Sequence, residues 1–187
     1  FRDAVEKGWP RPLDIEEYTH AALATAFVAG AARLPFGVLR GAPDHDLLEH
    51  TSGLSSVQCP FTGETVAAVR AINPDVTIIH AQQADEQGNV QLWGIQGIQK
   101  EAVLAAKKVI VTVEEICEKF EPVPGGIFIP SWVISSIVCT PGGARPSYVQ
   151  GYYGRDNAFY REWDNIARDR DRFADWIEEN VLECVPA

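Results

Sequence analysis

Two uninterrupted runs of β-branched and aliphatic residues constrain the fold more than any other feature of this sequence. The first run is VTIIHA at residues 76–81, and the second is KVIVTV at residues 108–113. Neither run alternates apolar with polar residues, which is typical of strands that are buried on both faces of a sheet. Residues 98–107, between the runs, have helical spacing. Strand, helix and strand in this order predict a parallel α/β unit with a crossover helix.

Turn and helix signals extend this prediction along the chain. Asp14 and Glu17 form a capping-box pattern, which predicts a helix that begins at Asp14 and ends at Leu34-Pro35. Two amphipathic helices are predicted near the C-terminus, at residues 156–167 and 171–180. We therefore predict one α/β domain over residues 1–187, an open and mostly parallel sheet with flanking helices and C-terminal amphipathic helices. Its further strands are expected at residues 36–39, 65–69, 90–93 and 132–138.

Charge and hydropathy exclude several classes of partner. The formal net charge is −10, whereas nucleic-acid binding needs clustered Lys and Arg, and the acidic surface gives no attraction to anionic lipid. No apolar run approaches the roughly 20 residues of a membrane helix, and no signal peptide is visible at the N-terminus. We expect a cytoplasmic protein with neither nucleic acid nor membrane as a partner.

Cysteine and histidine give no metal-binding pattern. The four cysteines are far apart and form no CxxC pair, so we interpret them as reduced thiols. The histidines His20, His45, His50 and His80 are compatible with a metal site or a general base. His45, Asp46, Glu49 and His50 are close in sequence, which is also compatible with a solvated loop. We favour the solvated loop, and we expect no metal.

Six sequence motifs follow one another along nearly the whole chain. Three of them are NPDVTIIHA at residues 73–81, ADEQGNV at 84–90 and AKKVIVTVEEI at 106–116. The other three are PFTGE at residues 60–64, PGGARPSY at 141–148 and YYGRDN at 152–157. The first three resemble the α subunits (A subunits) of class I coenzyme A-transferases, which have a NagB-RpiA-like fold, and the other three are similar to the glutaconate CoA-transferase branch.

The resemblance implies a two-subunit enzyme that moves CoA between an acyl-CoA and a carboxylic acid, dicarboxylic or 3-oxo. The catalytic glutamate, which forms a glutamyl-CoA thioester, is expected on the partner β subunit, in a heterodimer or heterotetramer. CoA is then a substrate, and no permanently bound cofactor is expected. Family α subunits open with a Gly-rich segment that has no counterpart here, so we expect this chain to be the C-terminal portion of its subunit.

Such chemistry needs donors for an oxyanion and a pocket that excludes water. We predict that Gln83, Asn89, Gly142 and Gly143 contribute to substrate binding. Asn89 follows Gly88 in a pattern that predicts a turn with positive φ. Gly142 and Gly143 predict a second tight turn, which allows a close approach to CoA or to the partner.

The catalytic residues within this chain stay open, with Glu17 and Arg40 as candidates. Arginine suits the bidentate recognition of a carboxylate. In actinobacterial hydrolases that open the last steroid ring, a related branch, an α-subunit Glu and Arg act in catalysis. Glu114 and Glu115 follow the second buried run, and they are either active-site acids or favourable charges at a helix N-terminus. We favour the helix terminus.

Two other functions fit the same scaffold. One is a CoA-ester hydrolase or ring-opening hydrolase, and the other is a non-catalytic structural role. The partner chain discriminates between the enzymes, because a partner that carries the nucleophilic glutamate favours transfer, whereas one without it favours hydrolysis. In a non-catalytic subunit, every acidic residue would be exposed or structurally paired.

Overall fold

The structure is a computed structural model that describes residues 2–40, 51–121 and 123–182. Its α-helices are Arg2–Lys7, His20–Ala31, Gln99–Ala105, Asn157–Arg168 and Arg170–Ile177, with a short 3₁₀ helix at Ser131–Val133 and a π-helical turn at Glu178–Leu182. Its strands are β1 (Phe36–Leu39), β2 (Leu54–Gln58), β3 (Thr65–Arg70), β4 (Val76–Asp85), β5 (Val90–Leu92), β6 (Lys108–Cys117), β7 (Ile127–Ile129) and β8 (Ser136–Cys139).

These residues group into two compact units, each built from separate stretches of the chain. The first unit contains Phe1–Ile79, Ile95–Ile110 and Ile129–Ser136. The second contains His80–Gly94, Val111–Phe128 and Ile137–Ala187.

The first unit contains a three-stranded antiparallel sheet in the order β1-β3-β2. Its register pairs Phe36 with Arg70 and Leu54 with Val69. The helix His20–Ala31 packs on β1 and β3 and against the helix Gln99–Ala105. The sequence patterns placed β1 and β3 correctly, but they did not predict β2. Only two of the five β2 residues, Leu54 and Val57, are aliphatic, so its hydrophobic signal is weak.

Small residues let the backbone segments of the first unit approach closely. A Cβ added to Gly30 would clash with the carbonyl oxygen of Ile72. The side-chain amide of Asn73 donates hydrogen bonds to the carbonyl oxygens of Gly30 (3.1 Å) and Ala105 (3.0 Å). The Ala-rich helix thus serves close packing as well as helix propensity.

The predicted helix start at Asp14 is wrong. The helix begins at His20, and Thr19 is its N-cap, because the Thr19 hydroxyl accepts the backbone N–H of Ala22 at 3.1 Å. The Thr19 cap satisfies a free N–H group in the first turn of the helix, which is the role that the capping box of Asp14 and Glu17 was expected to have at an earlier start. The capping-box pattern therefore does not mark a helix at this position.

The larger sheet has five strands in the order β7-β5-β4-β6-β8. Strands β4 and β5 are antiparallel, with Gln83 opposite Gln91. Strand β8 is parallel to β6, because the N–H groups of Ser135 and Thr140 donate to the carbonyls of Val109 and Val113, in the same order along both strands. The α/β prediction is confirmed, with a mixed sheet. The sequence patterns did not predict β7.

The C-terminal amphipathic helices are confirmed and lie in the second unit. Asp156 and Asp169 cap the helices Asn157–Arg168 and Arg170–Ile177, each through a carboxylate oxygen that accepts two backbone N–H groups. The apolar faces meet through aromatic rings, with Trp163 and Trp176 edge to face at 4.9 Å. Such a pair stabilises the helical hairpin beyond the burial of its area, by about 1 kcal/mol.

Candidate active site at the carboxyl ends of the strands

Polar side chains gather in the second unit, where β4, β6 and β8 approach their carboxyl ends. His80 and Gln83 lie on β4, Glu114 and Glu115 lie on β6, and Gly142 follows β8. In open α/β sheets, ligands bind beyond the carboxyl ends of the strands. This edge is therefore the candidate active site.

Glu114 is the centre of a buried hydrogen-bond network. The residue is only 5% exposed. Its Oε1 accepts from His80 Nε2 and from the Tyr153 hydroxyl, both at 2.6 Å, and its Oε2 accepts the backbone N–H of Gly142 at 2.7 Å. Three donors on two oxygens compensate the desolvation of a buried carboxylate.

This network decides the charge of Glu114. Burial by itself raises the pKa of the carboxyl group, because the charged form is desolvated. The hydrogen bonds from Tyr153, Gly142 and His80 outweigh burial, and the net pKa lies below its ordinary value. Glu114 is therefore an anion at neutral pH, held in a fixed position.

His80 connects Glu114 to the neighbouring part of β6. Its Nδ1 lies 2.8 Å from the Thr112 hydroxyl. A neutral imidazole with its proton on Nε2 satisfies both contacts, since it donates to Glu114 and accepts from Thr112. A Cβ added to Gly143 would lie 3.0 Å from His80 Cε1, so a glycine at this position lets the loop approach the imidazole.

Tyr153 holds residues 142–145 from the other side. Its hydroxyl donates to Glu114 and accepts the backbone N–H of Ala144 at 3.0 Å. The pKa of Tyr153 is raised, first by burial and then by its hydrogen bond to the Glu114 carboxylate. The tyrosine therefore remains a neutral donor, and it fixes the loop that was predicted to bind substrate.

A second polar group at this edge is more accessible. The Gln83 side-chain amide donates to the exposed carboxylate of Glu115. Burial raises the pKa of Tyr152, as does its hydrogen bond with Glu115. The Tyr152 ring lies 6.3 Å from the ring of Trp93, centroid to centroid. Gln83 and Tyr152 are therefore neutral polar groups at this edge, and Tyr152 lies beside the ring of Trp93.

The predicted turn at Gly88-Asn89 is present. Gly88 has φ +81°. Asp85 accepts the backbone N–H of Asn89 at 2.8 Å on Oδ1, and the Asn89 side-chain amide, also at 2.8 Å, on Oδ2. The amide of Asn89 therefore has a structural partner in this conformation.

Glu17 and Arg40 lie in the first unit, and no hydrogen bond or ion pair of the described residues joins them. The Thr51 hydroxyl donates to the backbone carbonyl of Glu17, whose side chain is exposed. The Arg40 side chain is 88% exposed and lies 3.6 Å from the Glu64 carboxylate. Their catalytic role stays a prediction.

Sequence reasoning did not select His80 or Tyr153 for the site, and it did not predict that Glu114 is buried. The helix-terminus interpretation of Glu114 and Glu115 is wrong, because β6 continues through both residues to Cys117. A signal was available, since His80 and Glu114 each lie within or directly after a buried apolar run, where a polar residue needs a partner.

The part of the chain that the structure describes contains no cluster of His, Cys, Asp and Glu that could hold a metal ion. The loop with His45, Asp46, Glu49 and His50 lies outside the described residues. Among the described helices, none has the length and apolar character needed to cross a membrane.

Comparisons with known proteins agree with these features. Residues 11–140 match the family model for coenzyme A transferase. The chain is 54% identical over 181 residues to the A subunit of 3-oxoadipate CoA-transferase from Pseudomonas knackmussii, covering 97% of this chain and 64% of the relative. It thus spans less than two thirds of that relative.

Two solved structures have the same fold. Glutaconate coenzyme A-transferase from Acidaminococcus fermentans superposes with a TM-score of 0.81 at 30% identity, over 90% of this chain and 59% of the other. A variant of the decarboxylase AibA/AibB superposes with a TM-score of 0.79 at 30% identity, over 95% of this chain and 64% of the other. By its family match and its similarity to A subunits, the chain belongs to the coenzyme A transferase family.

Proposed function

We propose that this chain forms part of the A (α) subunit of a two-subunit CoA transferase. The observation that carries the proposal is the 54% identity to the A subunit of a 3-oxoadipate CoA-transferase over 97% of the chain. The acid substrate would be dicarboxylic or 3-oxo, the partner would be a B (β) subunit, and CoA would be a substrate. No permanently bound cofactor is needed.

The proposed reaction begins on a glutamate of the partner subunit. Its carboxylate attacks the thioester carbonyl, the bond to sulfur breaks, and CoA leaves as a thiolate from an acyl-glutamyl anhydride. The thiolate then attacks the glutamyl carbonyl, which releases the first acid and leaves a glutamyl-CoA thioester. The second acid reverses these steps and leaves as its CoA ester.

In this proposal the present chain supplies the wall of the acyl site. Gln83 and Tyr152 line this wall, and an acyl carbonyl or a carboxylate of the substrate would share or replace Glu115 as the acceptor of their hydrogen bonds. Asn89, Gly142 and Gly143 stay in the proposal as substrate-binding residues, in the turns at the edge of the sheet where the acyl site would lie. Glu114 is not the proposed nucleophile, because three hydrogen bonds already occupy its oxygens.

The test is an activity assay of the complex of the A and B subunits. 3-Oxoadipate and glutaconate serve as acceptors, each with acetyl-CoA and succinyl-CoA as donors, and the CoA esters are separated by chromatography. We expect a new CoA ester that depends on the acceptor, and inactivation by borohydride only when an acyl-CoA is present. Release of free CoA without an acceptor would overturn transfer in favour of hydrolysis, and no reaction under any of these conditions would favour a structural role.

A further inference from the structure

The loop after β8 carries an arginine that lies beside the Glu114 network. Arg145 is exposed, and its guanidinium carbon lies 4.6 Å from the centre of the Tyr153 ring. Its backbone N–H donates to the Gly142 carbonyl at 3.0 Å. Among residues 2–40, 51–121 and 123–182, no carboxylate forms an ion pair with this guanidinium, whereas Arg40, Arg70 and Arg168 each have one.

The platform under Arg145 is rigid. The Tyr153 hydroxyl is bound both to buried Glu114 and to the Ala144 N–H, so the ring cannot swing away without breaking two hydrogen bonds. Gly142 has φ +80°, and a Cβ there would lie 3.3 Å from Arg145 Nε. A glycine at 142 thus provides both the backbone conformation and the space for the arginine side chain.

A guanidinium that is held in place and has no carboxylate partner is suited to an anionic ligand. Its planar fork matches carboxylate and phosphate oxygens bidentately. Stacking on Tyr153 leaves its edge N–H groups free for a ligand. The substrates of the proposed function offer two such groups, the free carboxylate of an acid and the phosphates of CoA.

We propose that Arg145 is a substrate-binding residue, whose guanidinium, held over Tyr153 by the Glu114 network, binds a carboxylate or phosphate group of the substrates. This inference rests on the proposed function, and it adds a residue that binds an anionic group of the substrates. Tyr153 and Glu114 are then positioning residues, because they act through Arg145.

The chain offers a matched control. Arg155 stacks over Tyr160 at 3.9 Å, so it is the same residue type with the same contact in the same unit. Tyr160, however, lies in the first turn of an amphipathic helix, and no buried carboxylate holds its hydroxyl in the described structure. Arg155→Gln removes an equal charge without touching the network of Glu114.

The experiment measures binding and turnover separately in the complex of the A and B subunits. Calorimetry gives the Kd values for CoA, 3′-dephospho-CoA, glutarate and butyrate, and kinetics gives KM and kcat with 3-oxoadipate. For Arg145→Gln we expect Kd and KM for the recognised group to rise about 10- to 100-fold, the loss of one charged hydrogen-bonded contact. We expect kcat to change less than about threefold, because uniform binding is removed.

The ligand panel distinguishes the two sources of the anion. If the group is the carboxylate, only glutarate and 3-oxoadipate lose affinity, while butyrate and CoA bind as before. If the group is a CoA phosphate, Arg145→Gln binds CoA more weakly than wild type does, while glutarate and butyrate bind as before. If that phosphate is the 3′-phosphate, the difference in affinity between wild type and Arg145→Gln is smaller for 3′-dephospho-CoA than for CoA. Tyr153→Phe should raise the same Kd and KM by a smaller factor than Arg145→Gln does. Arg145→Lys should keep part of the affinity that Arg145→Gln loses.

Two results would overturn this inference and leave the proposed function unaffected. One is that Arg145→Gln binds all four ligands with wild-type affinity, and the other is that Arg155→Gln loses as much affinity as Arg145→Gln. Wild-type protein that binds neither CoA nor an acid would overturn the proposed function together with it. A fall of kcat with unchanged KM would also overturn it, since that pattern indicates a role in chemistry and not in binding. The thermal midpoints of the Arg145 and Arg155 variants, expected within about 2 °C of wild type because both residues are exposed, verify that these proteins are folded. Tyr153→Phe is expected to melt at a lower temperature, because it loses the hydrogen bonds with Glu114 and Ala144.

Discussion

The interiors of the two compact units are packed with different kinds of residues. In the first unit, small apolar residues dominate the close contacts: Ala26 is completely buried, and Gly30 touches the backbone at Ile72. In the second unit, a carboxylate, an imidazole and a phenol fill the space between β4, β6 and the loop after β8. The first arrangement depends on shape, and the second depends on the complete pairing of polar groups.

This difference teaches where each unit tolerates change. A small-residue contact fails when atoms are added, because the backbone cannot move aside. A buried polar network fails when one member is removed, because its partners lose their hydrogen bonds without regaining water. Substitutions in each unit can therefore break or sharpen the comparison.

The largest effect is expected in the polar network. Glu114→Ala leaves three donors without an acceptor, so we expect the free energy of unfolding to fall by about 3–5 kcal/mol. Chemical denaturation at pH 7 measures this change. The control Glu86→Ala removes an exposed carboxylate from the same unit and should unfold like wild type. A loss below about 1 kcal/mol for Glu114→Ala, the value of one ordinary hydrogen bond, would contradict the assignment of Glu114 as the centre of the network.

The next effect is expected at the small-residue contact. Gly30→Ala places a Cβ against the Ile72 carbonyl and should lower the free energy of unfolding by about 3 kcal/mol. Gly154→Ala is the control, since nothing lies within 4 Å of a Cβ there. The same denaturation experiment compares the two. Equal stability of both variants would show that the helix His20–Ala31 can shift away from Ile72.

A pH titration of stability sharpens the comparison further. The pKa of Glu114 is lower in the folded protein than its ordinary value of 4.5, so the unfolded state binds more protons as the pH falls through that value. This contribution is therefore fully present above about pH 5 and is lost as the pH falls from there through the lowered folded pKa.

The titration compares wild type with Glu114→Gln, which cannot lose a charge at this position. Between about pH 5 and pH 3, we expect the stability of Glu114→Gln to fall less steeply than that of wild type. Glu86→Gln should follow the wild-type curve. Parallel curves for all three proteins would mean that the pKa of Glu114 is the same in the folded and unfolded states, and a shallower fall in wild type than in Glu114→Gln would mean that the buried carboxyl group is neutral in the folded protein.

The smallest effect is expected for an exposed ion pair. Lys107 Nζ lies 2.8 Å from Asp75 Oδ1, but the two side chains are 68% and 86% exposed. The hydrogen bond from Lys107 lowers the pKa of Asp75, yet water and salt screen such pairs. Lys107→Ala should leave the unfolding midpoint unchanged. A clear fall in the midpoint would mean that geometry, and not burial, sets the strength of these pairs.

Residue patterns located most of the fold. The uninterrupted runs predicted β4 and β6, and the spacing of apolar residues predicted both C-terminal helices, because periodicity reports directly on burial. β2 was missed because only two of its five residues are aliphatic, and β7 was missed because its three apolar residues are too few to show a period. The helix start was misplaced because Asp14 and Thr19 both satisfy the local rules for a cap, and local rules do not choose between them.

The candidate site was predicted in part. Asn89, Gly142 and Gly143 were selected from turn patterns, and Gln83 was predicted with them. Gln83, Gly142 and Gly143 lie at the carboxyl edge of the sheet, and Asn89 lies in the turn that joins β4 to β5. His80 and Tyr153 were not selected. They are 34 and 39 residues from Glu114 in sequence, and no local pattern connects them.

The sequence by itself determined that two buried strands flank a crossover helix, where the turns lie, and which family the motifs resemble. Only the tertiary structure decided that Glu114 is a buried anion shared by His80, Tyr153 and Gly142, and that Arg145 lies on the ring of Tyr153. The physical reason is the distance along the sequence over which each effect acts. Hydrophobic periodicity and turn preference act over a few residues, whereas the pairing of a buried charge depends on which distant side chains the sheet brings within hydrogen-bond distance.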